Sequence, residues 1–254
     1  MPMSSPSPMP MPAPGSPHTN PDLDVSGLTA WKPFMASYSV ENRPVQALVF
    51  EGGFSAQSVE TMIISLFHGD EPEALVLAQA FVEAVERGAL VPGAPVAIIP
   101  ALNPDGLQAQ TRTNARGVDL NRNYPAQNWQ AGPREGEEAR YYGGPEPASE
   151  PETCFLMAVI DRLAPKRLIT LHTPYNVLNY DGPPSAKALA EAMAAVNGMP
   201  VEADIGYATP GSFGTYYGKE RQLDIVTVEL PEGEAFTQDV LEKNLAALRV
   251  AIAM

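Results

Sequence analysis

The chain of 254 residues has one cysteine, three histidines, and 16 basic side chains against 30 acidic ones. The single thiol, Cys154, allows neither an internal disulfide nor a cysteine-built zinc site, and it is compatible with a reducing compartment. The formal net charge of −14 argues against nucleic acid and anionic membrane as partners, since both select a basic face. No apolar run approaches the ~20 residues that span a bilayer. Residues 1–24 are rich in proline, serine and methionine and carry neither the basic nor the apolar segment of a signal peptide. A disordered tail is therefore expected there, and a cytoplasmic location for the chain. Residues 25–254 suffice for one large core and are read as a single domain.

What is present alternates. Short apolar, β-branched runs predict strands over 45–50, 61–67, 95–100, 167–172 and 224–229, and helical spacing of apolar residues predicts helices over 72–87, 150–164, 186–197 and 238–252. Such interleaving implies an α/β fold, a mixed and mostly parallel sheet with helices on both faces. Asp70-Glu71-Pro72-Glu73 reads as a helix start with Asp70 as N-cap and Glu73 completing a capping box, and Ser149-Glu150-Pro151-Glu152 repeats the design. Cys154 is expected on the apolar face of the helix that follows. The polar stretch between Tyr124 and Ser149 has no periodicity; a segment of that length is either a surface insertion or a lid over a site.

Capping accounts for the acids near residue 70 but not for His68, which ends a strand-like run. His172 ends another, and Glu229 closes a third. If these strands run parallel, the three residues converge on one rim, where open α/β sheets bind ligands. A lone histidine at a strand end is more often a hydrogen-bonded core residue than a ligand. Two of them, with Glu71 three residues after the first, favour a metal site. His18 belongs to the tail, so a His/Glu/His set with one open position is the simplest catalytic zinc geometry available. Both histidines are then committed to metal, a carboxylate must serve as general base, and Glu229 is the strand-end candidate. Ser212 in TPGSFG does not fit the nucleophile-elbow pattern of a serine hydrolase. Residues 103–125 gather Arg112, Arg116, Arg122, Asn121 and Asn123. Forked guanidinium groups can grip a carboxylate or stabilise an oxyanion. The alternative is a polar loop whose arginines pair with Asp105, Asp119 or the acids of the 124–149 stretch; this is expected for Arg116, whereas Arg112, Asn121 and Arg122 are read as site residues.

His68-Gly69-Asp70-Glu71, GVDLNRN at 117–123, LHTP around His172 and TVELPEG around Glu229 resemble, in content and order, the zinc metallocarboxypeptidases. The resemblance spans about residues 45–235. It implies a zinc carboxypeptidase-like fold, a catalytic domain over 25–254, and one Zn2+ per chain held by His68, Glu71 and His172. It further implies Glu229 as general base, Arg112 as oxyanion partner, and Asn121 with Arg122 on the free carboxylate of the departing residue. Phe213 falls where the residue that sets side-chain preference is expected, and Phe213-Gly214 lacks the acid that marks a simple Lys/Arg carboxypeptidase. Digestive members carry a mobile tyrosine where Gly206 stands here, which leaves its neighbour Tyr207 as the tyrosine on the substrate side. HGDE, NPDG, TRTNARGVDLNRNYP, and TPGSFGTYY with IVTVELP are most similar to members that cleave the γ-D-glutamyl–meso-diaminopimelate bond of murein peptides in cell-wall recycling. A small murein peptide is therefore the expected substrate. A general metallocarboxypeptidase and an N-acyl amino acid amidohydrolase are the alternatives within the fold. An inactive carboxylate-binding module is the alternative of a different class, and the complete ligand set with Glu229 argues against it.

Overall fold

Alternation along the strands decides which core each side chain enters. In β3 (Thr61–Ser65), Met62 and Ile64 pack into one apolar cluster and Ile63 into another. The computed structural model describes residues 28–52 and 59–253; the expected tail over 1–24 lies outside the described residues. The other strands are β1 (Trp31–Tyr38), β2 (Pro44–Phe50), β4 (Val96–Ile99), β5 (Arg167–His172), β6 (Val177–Asp181), β7 (Val201–Glu202) and β8 (Asp224–Glu229). They form one sheet in the order β1-β2-β4-β3-β5-β8-β6-β7. Pairing is parallel through β4, β3, β5 and β8 and between β6 and β7, and antiparallel for β1 with β2, β2 with β4, and β6 with β8. The α/β architecture expected from the sequence is thus present.

Helices α1 (Pro72–Glu86), α4 (Pro184–Asn197) and α5 (Gln238–Ala253) bury Leu77, Phe81, Leu189, Met193, Leu241 and Leu248 on one face of the sheet. The short α2 (Pro104–Ala109) follows β4; on the other face, α3 (Pro151–Leu163) contributes Phe155, Leu156, Val159 and Ile160 to a core completed by Tyr124, Phe213, Tyr216 and Tyr217. Each fully buried side chain of this size contributes about 1.5–3 kcal/mol. The sequence missed β1, an edge strand with mostly exposed residues, together with β6 and the two-residue β7.

Two local expectations are corrected. The N-cap of α1 is Glu71 rather than Asp70, and no side chain caps it; Pro72 begins the helix, and Glu73 accepts from the Gly233 N–H at 2.8 Å instead of closing a capping box. At α3 the N-cap is Glu150, again without a side-chain cap. Cys154 is exposed, on the solvent side of α3, where its Sγ donates to the Ala148 carbonyl at 3.1 Å.

Candidate active site

β3, β5 and β8 lie side by side and parallel, so their C-terminal ends share one rim. After β3 the chain turns through Leu66, whose φ of 60° is costly for a branched side chain. Two backbone bonds hold the turn, from Leu102 N to Ser65 O at 3.1 Å and from Asn103 N to Leu66 O at 3.0 Å. Asn103 also donates to the Phe67 carbonyl and accepts from the Gly106 N–H, so the NPDG segment braces the loop that carries His68. Gly69 is pressed against the same segment. A Cβ at this position would lie 1.9 Å from the Gly106 carbonyl carbon, so only glycine fits.

His68, Glu71 and His172 are all buried and present ligand atoms within 4.8 Å of one another. Glu71 bridges the two rings, with Oε1 2.6 Å from His68 Nδ1 and Oε2 2.9 Å from His172 Nδ1. The two Nδ1 atoms are 3.2 Å apart. That spacing matches the edge of about 3.3 Å that a tetrahedral zinc with bonds of about 2.0–2.1 Å requires. The donor set, two imidazoles and a carboxylate, also suits zinc. Burial alone would raise the Glu71 carboxyl, but the adjacent His68 and His172 outweigh it and hold it well below the usual carboxylate range. Glu71 is therefore an anion ready to ligate.

Asp119 completes the support. Its Oδ1 lies 3.1 Å from His68 Nε2, which leaves Nδ1 facing the cluster, and its Oδ2 accepts from Arg112 Nε at 2.9 Å. Burial works against ionisation of Asp119, yet the Arg112 and His68 charges keep it well below its ordinary pKa. A metal-facing histidine held from behind by a carboxylate is the usual device for fixing tautomer and ring orientation. Sequence reasoning regarded Asp119 only as a loop partner for an arginine; its place three residues before Arg122, in the segment bearing the site amides, was the available signal.

Glu229 stands opposite His172 in the register of β5 and β8. Its Oε2 is buried and has no hydrogen-bond partner among the described residues. Burial, reinforced by the Glu71 charge, pushes its carboxyl up to about 8. A buried carboxylate oxygen left without a partner beside a ligand cluster is costly unless a cation or a proton meets it.

These residues line a pocket of about 280 Å3 that also includes Arg112, Asn121, Arg122 and Tyr207. Arg122 Nη1 donates to the Asn121 carbonyl at 2.8 Å. Asn121 Oδ1 accepts from the Phe213 N–H at 3.0 Å, which leaves its NH2 as the remaining donor. Arg112 and Arg122 both lie over the Tyr141 ring, at 5.2 and 5.8 Å from its centroid, so the 124–149 segment reaches the site. The Tyr207 ring is 6.0 Å from the Arg122 guanidinium and 6.3 Å from Tyr175; burial and the bond to Tyr175 push its hydroxyl up to about 12, leaving it a neutral donor. Arg116 lies 3.7 Å from Glu150, the N-cap of α3.

Phe213 is only 2% exposed and packs edge-on against Phe67 and Tyr124, so its contact with a ligand is confined to the wall of a small cavity of about 50 Å3 beyond Asn121 and Glu229. The acid that the Phe213-Gly214 segment lacks is supplied from elsewhere. Asp181, at the end of β6, enters this cavity beside Gly214, where a Cβ would lie 2.1 Å from Asp181 Oδ2. Lys219 Nζ is 3.1 Å from Asp181 Oδ1.

Comparison with known proteins meets this geometry from outside. Murein peptide amidase A of Escherichia coli (strain K12) is 35% identical over 159 residues, 59% of this chain and 63% of that relative. The chain thus spans a little under two thirds of the relative's length in the matched region. The crystal structure of murein-tripeptide amidase from Escherichia coli O157 superposes with a TM-score of 0.67 and 28% identity, covering 87% of this chain and 90% of that one. Bovine thrombin-activatable fibrinolysis inhibitor, solved with a tick carboxypeptidase inhibitor, shares the fold at a TM-score of 0.71 and 18% identity, over 90% and 89% of the two chains. The family model described as zinc carboxypeptidase matches residues 31–208, the span that holds His68, Glu71, Arg112, Arg122 and His172, and the chain belongs to the zinc carboxypeptidase family.

Proposed function

We propose that this protein is a zinc-dependent hydrolase, with one zinc per chain, that cleaves an amide bond next to a C-terminal residue bearing a free carboxylate. Its proposed substrate is the γ-D-glutamyl–meso-diaminopimelate bond of a small murein peptide, cleaved in the cytoplasm during cell-wall recycling. The observation that carries the reading is the joint placement of the His68/Glu71/His172 cluster and the buried Glu229 carboxylate, its Oε2 unpartnered among the described residues, in one pocket with three guanidinium groups. The similarity to murein peptide amidases supports the choice of substrate. Among the described residues no helix is long and apolar enough to cross a membrane.

His68, Glu71 and His172 would hold the metal, which, when bound, supplies Lewis-acid polarisation of the scissile carbonyl and of the attacking water. Glu229 takes the proton of that water at its carboxylate and passes it to the departing nitrogen. Burial raises its carboxyl above the ordinary range, the direction that suits a group which must both take and give a proton. Arg112, fixed by Asp119, directs its remaining N–H groups at the developing oxyanion. Arg122 and the Asn121 NH2 grip the carboxylate of the leaving residue, and Tyr207 adds a neutral hydroxyl at that wall. The Asp181 cavity, with Lys219 3.1 Å from Asp181, suits a leaving residue whose side chain ends in an ammonium and a carboxylate together, as in diaminopimelate, or in an ammonium alone, as in lysine.

The test is turnover of a γ-D-glutamyl–diaminopimelate peptide by the zinc-loaded protein, beside a peptide ending in an ordinary α-linked lysine. Preferred release of diaminopimelate is expected. Preference for the lysine peptide would make the protein a general metallocarboxypeptidase, and release from neither would overturn the hydrolase reading.

A further inference from the structure

Two hollows open from different walls of the catalytic pocket. The cavity that contains Asp181 shares Asn121, Thr209 and Glu229 with the pocket, and a larger groove of about 530 Å3 shares Asp70, Arg112 and Arg140 with it. The two hollows have no lining residue in common. Four arginines, Arg112, Arg116, Arg134 and Arg140, line the groove, and Asp70 is the one acid among its lining residues. Such a gathering is notable in a chain with 16 basic side chains and a net charge of −14.

Apart from Arg112, which Asp119 holds at 2.9 Å, these guanidinium groups are only loosely committed. Arg140 Nη2 lies 3.3 Å from Asp70 Oδ2, with the two side chains 52% and 34% exposed, and a pair so solvated holds little energy. Arg116 is 3.7 Å from Glu150, beyond hydrogen-bond distance. Arg134 is positioned without being neutralised: it donates to the Tyr142 hydroxyl at 2.5 Å and lies 4.7 Å over that ring. The groove is therefore a concave surface with surplus positive charge, continuous with the catalytic pocket.

Resting on the amidase reading above, we propose that this groove is an anion subsite on the acyl side of the scissile bond, and that Arg140 there receives the free α-carboxylate of a γ-linked glutamyl residue. The leaving side is already occupied, by Asn121 and Arg122 for the carboxylate and by the Asp181 cavity for the side chain. Arg112, the oxyanion partner, stands on the boundary between pocket and groove, so the acyl chain beyond the reacting carbonyl enters the groove. In a γ-linked residue that carbonyl belongs to the side chain, and the α-carboxylate remains free a few bonds away. An α-linked peptide presents no anion at this place. Arg140 is the other arginine that lines both the groove and the catalytic pocket, and a planar fork suits a carboxylate.

The experiment measures binding by calorimetry to the zinc-loaded Glu229→Gln protein, in which hydrolysis of the ligand is slowed by roughly two to four powers of ten. One peptide is γ-D-glutamyl–diaminopimelate, and the other carries an α-carboxamide on the glutamyl residue. The carboxylate peptide should bind about tenfold more tightly, the worth of one good charge-assisted contact. That preference should vanish when Arg140→Gln is added and shrink with Arg134→Gln, and both substitutions fall on the groove surface, away from the core. Equal affinities for the two peptides, or an undiminished preference in the Arg140→Gln protein, overturn the subsite even if the parent enzyme hydrolyses the peptide. A preference that depends on Arg140, together with no turnover by the parent, upholds the subsite and removes the amidase reading. Failure of both peptides to bind overturns the subsite as well.

Discussion

Glu229 faces His172 across the parallel pair β5–β8, and the Leu230 N–H donates to the His172 carbonyl at 2.7 Å, tying the proposed base to a proposed ligand through the backbone. The Glu229→Gln substitution is nearly isosteric and leaves this tie intact. Metal content should be unchanged, while turnover falls by roughly two to four powers of ten, the usual worth of a positioned general base. Metal analysis and single-turnover rates on the same preparation check this; loss of zinc from the variant would make Glu229 a ligand instead.

Asp119 touches both His68 and Arg112. Asp119→Asn should lower zinc affinity by about 10–100-fold, as expected when the group behind a metal-bound histidine is altered. It should also reduce kcat after reloading, because Arg112 loses its charged anchor. Competition with a chelator measures the first effect and kinetics at saturating zinc the second. Zinc affinity equal to that of the parent would remove Asp119 from the support of the site.

The Arg122 guanidinium is proposed to hold the carboxylate of the departing residue. A substrate amidated at that carboxylate should lose about 2–5 kcal/mol, the cost of truncating one side of a buried charged pair. At ~1.4 kcal/mol per factor of ten, kcat/KM falls by about thirtyfold or more. Arg122→Ala should discriminate little between the two peptides, and Arg122→Lys should recover part of the discrimination, since an ammonium lacks the fork. Equal turnover of both peptides by the parent enzyme would exclude the carboxylate clamp.

Far from the pocket, burial raises the carboxyl of Glu152 above its ordinary 4.5, even though it accepts from Val40 N and Asn114 Nδ2. For an acid raised on folding, the folded state favours the protonated form. Its contribution to stability is complete below 4.5 and is lost as pH rises through the higher folded value. Glu152→Gln should therefore flatten the decline of Tm above pH 4.5 while keeping the acceptor for Val40. Thermal melts across pH test this, and parallel Tm profiles for parent and variant would contradict it.

How far the sequence could be read depended on whether a feature was local. His68, His172 and Glu229 each follow a short, mostly apolar run, so strand ends could be located, and parallel order then brought them together. Asp181 was not legible, because β6 is only half-buried and the entry of its acid into the cavity depends on the missing Cβ of Gly214, a residue from a segment that is distant in sequence. The capping assignment at Asp70 failed for a related reason. Glu71 occupies the cap position but turns its carboxylate to the two histidines, and a local pattern cannot register that pull. Likewise, Arg112 was read as a site residue and its bond to Asp119 was set aside; it is both paired and exposed to the pocket.

Strand β8 lies between β5 and β6 in the sheet although it follows both in the chain. While a new chain emerges from the ribosome, β6 and β7 can pair with each other but have nothing to join them to the rest of the sheet until residues 224–229 arrive. At that stage the imidazoles and Glu71 have all been synthesised, yet the carboxylate opposite His172 has not. Closure of the sheet and arrival of the proposed base are one event, so a chain that stops before Asp224 lacks both the strip that joins its two halves and the last residue of the proposed site.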